Sequence, residues 1–144
     1  MSRQRSKARS LALQAIYQWQ MAGQAVPDIV QQFLFEHAGK RFDRDYFRDL
    51  LEGIAGQLET VDAVLAEVID RDIERVDPVE RAILRLGAYE LLRHPEIPYR
   101  VVINEAVELA KTFGSEQGHR YVNGVLDKAA RSLRALEIGA TGRG

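Results

Sequence analysis

Apolar side chains recur along this sequence with the three-to-four-residue spacing of amphipathic helices. The stretch that ends at Gly23 carries two apolar stripes. One predicts the core face of a first helix and consists of Ala8, Leu11, Ala12, Ala15, Ile16 and Trp19. The other lies on the far side of that helix and consists of Leu13, Tyr17 and Met21. A helix that is apolar on two faces is either covered on both or exposes one to a partner, and both interpretations stay open.

The same spacing continues through the chain, without the alternation typical of strands, and predicts an all-α fold of six to seven helices. Asp43 and Thr60 are candidate N-caps for two of them. The strongest start signal is Asp77-Pro78-Val79-Glu80, in which Glu80 can reach back to the capping residue. The first two predicted helices cover residues 5–22 and 28–38, and three more begin after the candidate caps Asp43, Thr60 and Asp77. Another predicted helix ends at Phe113, and the last covers residues 115–136.

A seam near Glu59–Thr60 divides these helices into two small bundles. We therefore expect an N-terminal subdomain of residues 1–59 and a C-terminal subdomain of residues 60–138. The glycine-containing stretch 139–144 is expected to form a disordered tail.

The composition narrows the class of protein. At 144 residues, 46% of them hydrophobic, the chain is long and apolar enough to bury a core. The absence of cysteine excludes disulfides and thiolate chemistry, and it fits a reducing cytoplasm. The longest uncharged run, Ser10 to Pro27, is interrupted by glutamines, which argues against both a membrane span and a secretion signal.

Charge is distributed unevenly, although the formal net charge is only −1. Residues 1–27 carry four bases and no acid, residues 28–80 carry fourteen acids and six bases, and residues 81–144 carry ten bases and seven acids. Both ends are therefore positive, an asymmetry that can orient a protein on nucleic acid.

The four bases of the N-terminal arm, Arg3, Arg5, Lys7 and Arg9, lie where the first helix begins. Free N–H groups at a helix start, together with four cations, suit the oxygens of phosphate groups. No acid near them in the sequence offsets their charge. The alternative is a solvated basic terminus that serves only solubility, and the arm alone does not decide between the two.

The last predicted helix offers a second basic surface. Its polar face carries four cations, Arg120, Lys128, Arg131 and Arg134, which are either solvated or in contact with a partner. Tyr121, at the edge of this face, can stack on a base or fill a partner's pocket. Asn123 is expected to bond between helices.

The sequence gives little support for catalysis. The histidines His37, His94 and His119 are scattered without metal-ligand spacing, so no metal is expected. The segment 114–118 lacks the lysine and the spacing of a phosphate-binding loop. We therefore expect a non-enzymatic protein without catalytic residues and without a cofactor.

Two stretches resemble a known family. The first stretch is Lys7-Ala8-Arg9 followed by residues 12–20. The second comprises Glu80 to Arg85, Ala88 to Leu91 and Ile97 to Ala106. It continues from Phe113-Gly114 to Tyr121-Val122-Asn123-Gly124-Val125-Leu126-Asp127-Lys128. Together they resemble the NusB family of bacterial transcription antitermination proteins over roughly residues 5–130. A related domain precedes the catalytic part of certain ribosomal RNA methyltransferases, and no such part is expected here.

The resemblance implies an all-α fold of two helical subdomains and a cytoplasmic RNA-binding factor. Its RNA would be the single-stranded boxA element of ribosomal RNA leaders. Its partner would be NusE, a ribosomal small-subunit protein, within an antitermination complex on RNA polymerase. The resemblance implies RNA contacts at Arg5, Lys7 and Arg9, and it places Tyr17, Glu80 and Tyr121 near the surface that faces NusE or the RNA. We expect further RNA contacts from Arg3, Gln117 and Arg120, and we expect Tyr17, Glu80 and Tyr121 to contact the partner.

The chain departs from many members of this family at two of these positions. It has Gln117 where many carry an acid and Tyr121 where many carry phenylalanine. Loss of an acid beside an RNA path weakens repulsion, so the contacts differ in detail while the function is kept. The alternative function is a protein–protein adaptor or homodimer that buries the Leu13, Tyr17 and Met21 stripe and leaves the arm inert.

Overall fold

The computed structural model describes residues 2–142, and the regular secondary structure of this part of the chain is helical, without strands. The all-α prediction is therefore confirmed. The helices are α1 (Arg3–Ala22), α2 (Val26–Glu36), α3 (Arg44–Gly56), α4 (Leu58–Ala66), α5 (Pro78–Arg93), α6 (Tyr99–Phe113), α7 (Gly118–Leu133) and α8 (Ala135–Gly142), with a short 3₁₀ helix at Ile73–Arg75. Across residues 2–142, none of the helices combines the length and the apolar character that crossing a bilayer requires.

The chain divides into two compact units after Leu58, one residue before the seam expected from the sequence. The first unit contains α1 to α3, and the second contains α5 to α8 and nearly all of α4. The C-terminal tail differs from the expectation, because Gly139 to Gly142 continue α8 instead of being disordered. Residues 143 and 144 lie outside the described residues.

The first unit is built by packing α1 against α3, with α2 contacting both. Ser2 begins α1, since its hydroxyl accepts the backbone N–H groups of Gln4 and Arg5 at 3.1 and 3.3 Å. Gly23 ends it in the left-handed conformation, φ 67°, which glycine adopts without strain. Asp43 caps α3 as predicted, because its carboxylate accepts the N–H of Tyr46 at 3.0 Å.

The two apolar stripes of α1 and the start of α4 differ in how they relate to the expectation. The second stripe, for which both interpretations were open, is divided, because Leu13 is buried in the core while Tyr17 and Met21 are at the surface. Trp19 is half-buried, at the margin of the core face. Thr60 lies inside α4 and is not its N-cap, because the helix already begins at Leu58.

The second unit is organised around α5, which packs on both α6 and α7. Asp77 caps it as predicted, accepting the N–H groups of Val79 and Glu80 at 3.1 and 3.2 Å. Gly87 permits close approach to α7, since a β-carbon there would lie 2.6 Å from Cδ1 of Leu126. An alanine at this position would force the buried Leu126 side chain to shift.

Arg134 caps the C-terminal end of α5, although it lies far from this helix in the sequence. Its guanidinium is buried and donates to the carbonyl oxygens of four residues: Glu90 (3.4 Å), Leu91 (2.9 Å), His94 (2.9 Å) and Ile97 (2.8 Å). These carbonyls belong to the last turn of α5 and to the connection to α6, where the regular helical bonds run out. Those of Glu90 and His94 also accept the backbone N–H groups of His94 and Ile97. The prediction that Arg134 lies on the outer polar face of the last helix is therefore wrong.

Glu137 completes this arrangement at the start of the next helix. One carboxylate oxygen binds Nη1 of Arg134 at 2.6 Å, and the other accepts the N–H of Tyr99 at 2.8 Å. Pro98 precedes α6 and offers no capping side chain, so Glu137 supplies the acceptor that the helix start requires. The dyad of Arg134 and Glu137 thus fixes both ends of the α5–α6 connection.

Candidate nucleic-acid interface

The N-terminal arm forms the first turns of α1, and its four cations are not equivalent. Arg3 is exposed, whereas Arg5 and Lys7 are partly exposed. Within its unit this end of the helix is fixed by the N-cap Ser2 and by the N–H of Asp43, which donates to the carbonyl oxygen of Gln4 at 3.1 Å. The structure therefore presents three accessible cations on an ordered helix end.

Arg5 is partly neutralised, which the sequence did not indicate. Its Nε lies 3.7 Å from a carboxylate oxygen of Asp43, and its guanidinium lies 4.4 Å above the centre of the Tyr46 ring. The expectation that no acid offsets the arm is thus wrong, because α3 brings Asp43 to it. With both side chains more than a third exposed, the pair is weak and leaves Arg5 available to a phosphate.

Arg9 does not share the exposure of the other three. It is only 1% exposed, and its guanidinium lies 5.4 Å from the centre of the Tyr46 ring, on which Arg5 also lies. A buried guanidinium does not reach a phosphate in solvent. Arg9 therefore lies in the interior beside the Tyr46 ring and is not one of the accessible cations of the arm.

In the second unit, Gln117 and Arg120 are exposed at the start of α7. Tyr121 follows them and is half-buried, with the Arg71 guanidinium 5.1 Å from the centre of its ring. Burial raises the pKa of the Tyr121 phenol, an effect that the nearby Arg71 partly offsets. The phenolic oxygen is buried and makes no hydrogen bond within residues 2–142, so Tyr121 presents its ring and keeps its hydroxyl inside.

The sequence did not identify Arg71 as a residue of this surface. This residue lies in the irregular segment between α4 and the 3₁₀ helix, where helical spacing gives no information about which side chains meet. Its Nε donates to Asp70 at 2.9 Å, and this bond lowers the pKa of the Asp70 carboxyl. The segment therefore brings a cation beside an aromatic ring at the start of α7.

Glu80 faces inward, although the resemblance implied a partner contact. It is 8% exposed, and its carboxylate accepts the hydroxyl of Ser115 at 2.9 Å. A β-carbon at Gly118, the first residue of α7, would lie 2.6 Å from the same carboxylate. The negative charge at this helix start is favourable, and Glu80 holds the loop before Gln117 in place.

Tyr17 and Met21 form a small apolar surface on α1, with exposures of 39% and 55%. Their exposure resolves the question of whether another helix covers Tyr17, since within residues 2–142 none does so fully. An exposed aromatic ring beside a methionine suits contact with another protein.

A polar groove between α6 and α7, of about 240 Å³, was not foreseen. It is lined by Tyr99, Arg100, Ile103, Asn104, Asn123 and Asp127. Asn123 is exposed here, so the expected bond between helices is wrong. Among residues 2–142 no group of three or more histidines and acids is placed to hold a metal ion.

Comparisons with known proteins agree with this fold. The NusB family model matches residues 6–131. The transcription antitermination protein NusB of Alcanivorax borkumensis is 56% identical over 133 residues, covering 92% of this chain and 89% of the relative. That of Nitrosococcus oceani is 56% identical over 138 residues, covering 96% of this chain and 93% of the relative.

Solved structures are similar as well. NusB of T. maritima has a TM-score of 0.81 and 30% identity, covering 91% of this chain and 93% of its own. A second similar structure is of the antitermination factors NusB and NusE in complex with double-stranded RNA, with a TM-score of 0.84, 28% identity, and coverage of 92% and 99%. Because the family model and the relatives span nearly the whole sequence, this chain belongs to the NusB family.

Proposed function

We propose that this protein is an RNA-binding transcription antitermination factor that binds boxA-type single-stranded RNA together with NusE, the ribosomal small-subunit protein. The observation that carries the proposal is family membership over almost the whole chain, with relatives that are transcription antitermination proteins. It promotes transcription of ribosomal RNA as a non-enzymatic component of an RNA polymerase antitermination complex in the cytoplasm.

The RNA contacts come from two surfaces. Arg3, Arg5 and Lys7 bind phosphates at the start of α1, where three accessible cations and the positive end of the helix dipole favour anions. Gln117 and Arg120, exposed at the start of α7, contact the RNA from the second unit. Phosphate contacts position an RNA without reading its sequence, so base preference comes from other groups and from the partner.

The partner contacts come from Tyr17, Tyr121 and Glu80. The exposed ring of Tyr17 supports a direct contact with NusE, and the half-buried ring of Tyr121 supports a second. Glu80, which is buried and bound to Ser115, contributes mainly by fixing the start of α7. One of the similar solved structures contains NusB together with NusE and RNA, which supports a joint complex.

The test is binding of a short fluorescein-labelled RNA that carries a boxA element, measured by anisotropy with and without NusE across a salt series. Three accessible arm cations predict a contribution of about −2 to the slope of log K against log salt. The variant Arg3→Ala/Arg5→Ala/Lys7→Ala removes this contribution. The control Arg48→Ala/Arg75→Ala/Lys111→Ala removes equal charge at exposed positions and retains the slope.

Two outcomes would contradict the proposal. If the wild-type protein shows no binding of the boxA RNA even with NusE, the proposed function is wrong. If the arm variant and the charge-matched control lose the same affinity, the arm contributes only general charge. A double-stranded RNA of the same sequence, measured alongside, shows whether the single strand is preferred.

A homodimer is the second candidate, favoured by the exposure of Tyr17 and Met21. In this case the apolar surface of α1 is buried against a second copy. Sedimentation of the wild-type protein and of Tyr17→Asp distinguishes the two. A wild-type dimer that the substitution converts to monomer supports self-association, and a wild-type monomer excludes it.

A further inference from the structure

The loop between α2 and α3, residues 37–43, carries positive charge that is not apparent from the net charge of the acidic stretch in which it lies. Residues 28–80 are strongly acidic in total, yet three of their six bases fall within five consecutive positions, Lys40 and Arg41 in the loop and Arg44 at the start of α3. The fold brings this loop to the start of α1.

Three observations place this loop beside the N-terminal arm. The N–H of Asp43 donates to the carbonyl oxygen of Gln4 at 3.1 Å, and its carboxylate lies 3.7 Å from Nε of Arg5. The positive charges of Lys40, in the loop, and of Lys7, in the arm, both lower the pKa of the His37 imidazole. The two basic segments are therefore neighbours on one surface of the first unit.

The loop is held in a defined conformation by Arg44. Its guanidinium donates to the carbonyl oxygens of Ala38 and Lys40, each at 3.1 Å, and lies 4.4 Å above the ring of Phe42. Phe42 itself is buried and anchors the loop to the core. Arg44 is thus occupied in supporting the backbone that presents Lys40 and Arg41.

Lys40 and Arg41 are both exposed, and neither forms an ion pair within residues 2–142. The nearest acid in sequence, Asp43, is already engaged with Arg5 and with the N-terminus of α3. Two exposed cations beside the basic arm repel it, and an anion bound between them relieves this repulsion.

We propose that Lys40 and Arg41 form a second phosphate-binding segment, which extends the RNA-binding surface of the first unit beyond the α1 arm. This inference rests on the proposed function, because the anion it names is the backbone of the same RNA. The loop would contact the sugar–phosphate backbone and not the base edges, since cations that bind phosphates do not distinguish one base sequence from another.

His37 provides an internal reporter of such binding. Burial lowers its pKa, as do Lys40 and, more weakly, Lys7, while Glu36 opposes them. A phosphate held between the two ammonium groups offsets their repulsion of the imidazolium. The pKa of His37 therefore rises when RNA occupies the segment, and it also rises in the free Lys40→Ala variant because one repelling charge is gone.

The binding test compares Lys40→Ala/Arg41→Ala with a control, Arg48→Ala/Arg75→Ala, which removes two exposed cations elsewhere, and with the charge-conserving Lys40→Arg/Arg41→Lys. The probe is the boxA-bearing RNA, and single-stranded DNA of the same sequence is measured as a second probe. Removing one cation that binds a phosphate lowers the affinity about fourfold at about 0.15 M salt and reduces the salt slope by about 0.7. We expect the alanine variant to lose roughly tenfold in affinity and about 1.4 in slope, with little change in the other two.

The outcomes separate this inference from the function on which it rests. If the arm variant flattens the salt slope while the loop variant matches its control, the loop inference is overturned and RNA binding stands. If the wild-type protein binds no RNA, both fall. The NMR titration of the His37 ring protons checks the geometry, and it is made on the arm variant Arg3→Ala/Arg5→Ala/Lys7→Ala so that phosphates held by Lys7 do not contribute. An unchanged pKa on adding saturating RNA to this variant places the phosphates away from the loop, and a rise places them at it.

Discussion

Substitution of Arg134 is expected to destabilise the second unit more than any change of an exposed charge. Its five N–H donors are all used: Nε reaches Leu91, Nη1 reaches Ile97 and Glu137, and Nη2 reaches Glu90 and His94. Replacement by alanine leaves four backbone carbonyls without this partner and opens a cavity at the position of a buried side chain.

The magnitude follows from these bonds. A hydrogen bond to a charged group contributes about 1.5–3 kcal/mol, but bonds in one network are not additive, and water can enter to serve some of the carbonyls. Removing one partner of a buried pair costs about 3–5 kcal/mol, and we expect Arg134→Ala to fall in this range. With a urea dependence of about 2 kcal/mol/M, the unfolding midpoint drops by about 2 M.

The assay is urea unfolding followed by far-ultraviolet circular dichroism. Arg131→Ala serves as the control, since Arg131 is exposed, pairs with Asp127 one turn earlier, and contributes less than about 0.5 kcal/mol. Arg134→Lys, with three donors, is expected to fall between the two. If Arg134→Ala and Arg131→Ala shift the midpoint equally, the carbonyl network does not stabilise the unit and the expected magnitude is refuted.

Three further predictions concern the site. Ser115→Ala removes the hydroxyl donor to Glu80 and is expected to cost about 1 kcal/mol in urea unfolding, because Ser115 is exposed and water partly replaces it; no loss would show that this bond does not fix the start of α7. Tyr17→Asp is expected to keep the helical circular dichroism spectrum while weakening NusE binding, measured by calorimetry, by at least about tenfold; a loss of helicity would identify Tyr17 as a core residue. For His37, the folded-state pKa lies below the unfolded value of 6.5, so the unfolded chain takes up the proton first and stability falls as pH drops below 6.5. His37→Gln should remove this part of the acid dependence, and an unchanged pH profile of the urea midpoint would contradict the assignment.

Local sequence signals predicted the helix starts well where a side chain caps its own helix. Asp43 and Asp77 act within three residues of their positions, so the sequence contains the whole interaction. Thr60 satisfied the same pattern but lies within α4, because Leu58 and Glu59 extend the helix backward. A capping residue indicates where a helix can begin, and the preceding residues decide whether it does.

Helical spacing was less informative about charged residues. It placed Arg134 on a polar outer face, yet Arg134 is buried because carbonyls on other elements accept its N–H groups. Arg9, which was grouped with the other cations of the arm, is buried beside the Tyr46 ring of α3. Helical spacing likewise could not foresee Lys40 and Arg41 beside the arm, since their approach depends on a backbone bond between Asp43 and Gln4. Spacing gives the direction of a side chain from its helix, whereas its partner belongs to the tertiary fold.

The contact between Glu80 and Gly118 has a consequence for how this sequence can change over time. Because the carboxylate occupies the space that a β-carbon would need, a larger residue at position 118 displaces the end of the Glu80 side chain and disturbs its bond to Ser115. If the carboxylate is lost first, a later change of the glycine has no such bond to disturb. The costs of changes at positions 80 and 118 therefore do not add, although the two positions lie far apart in the sequence.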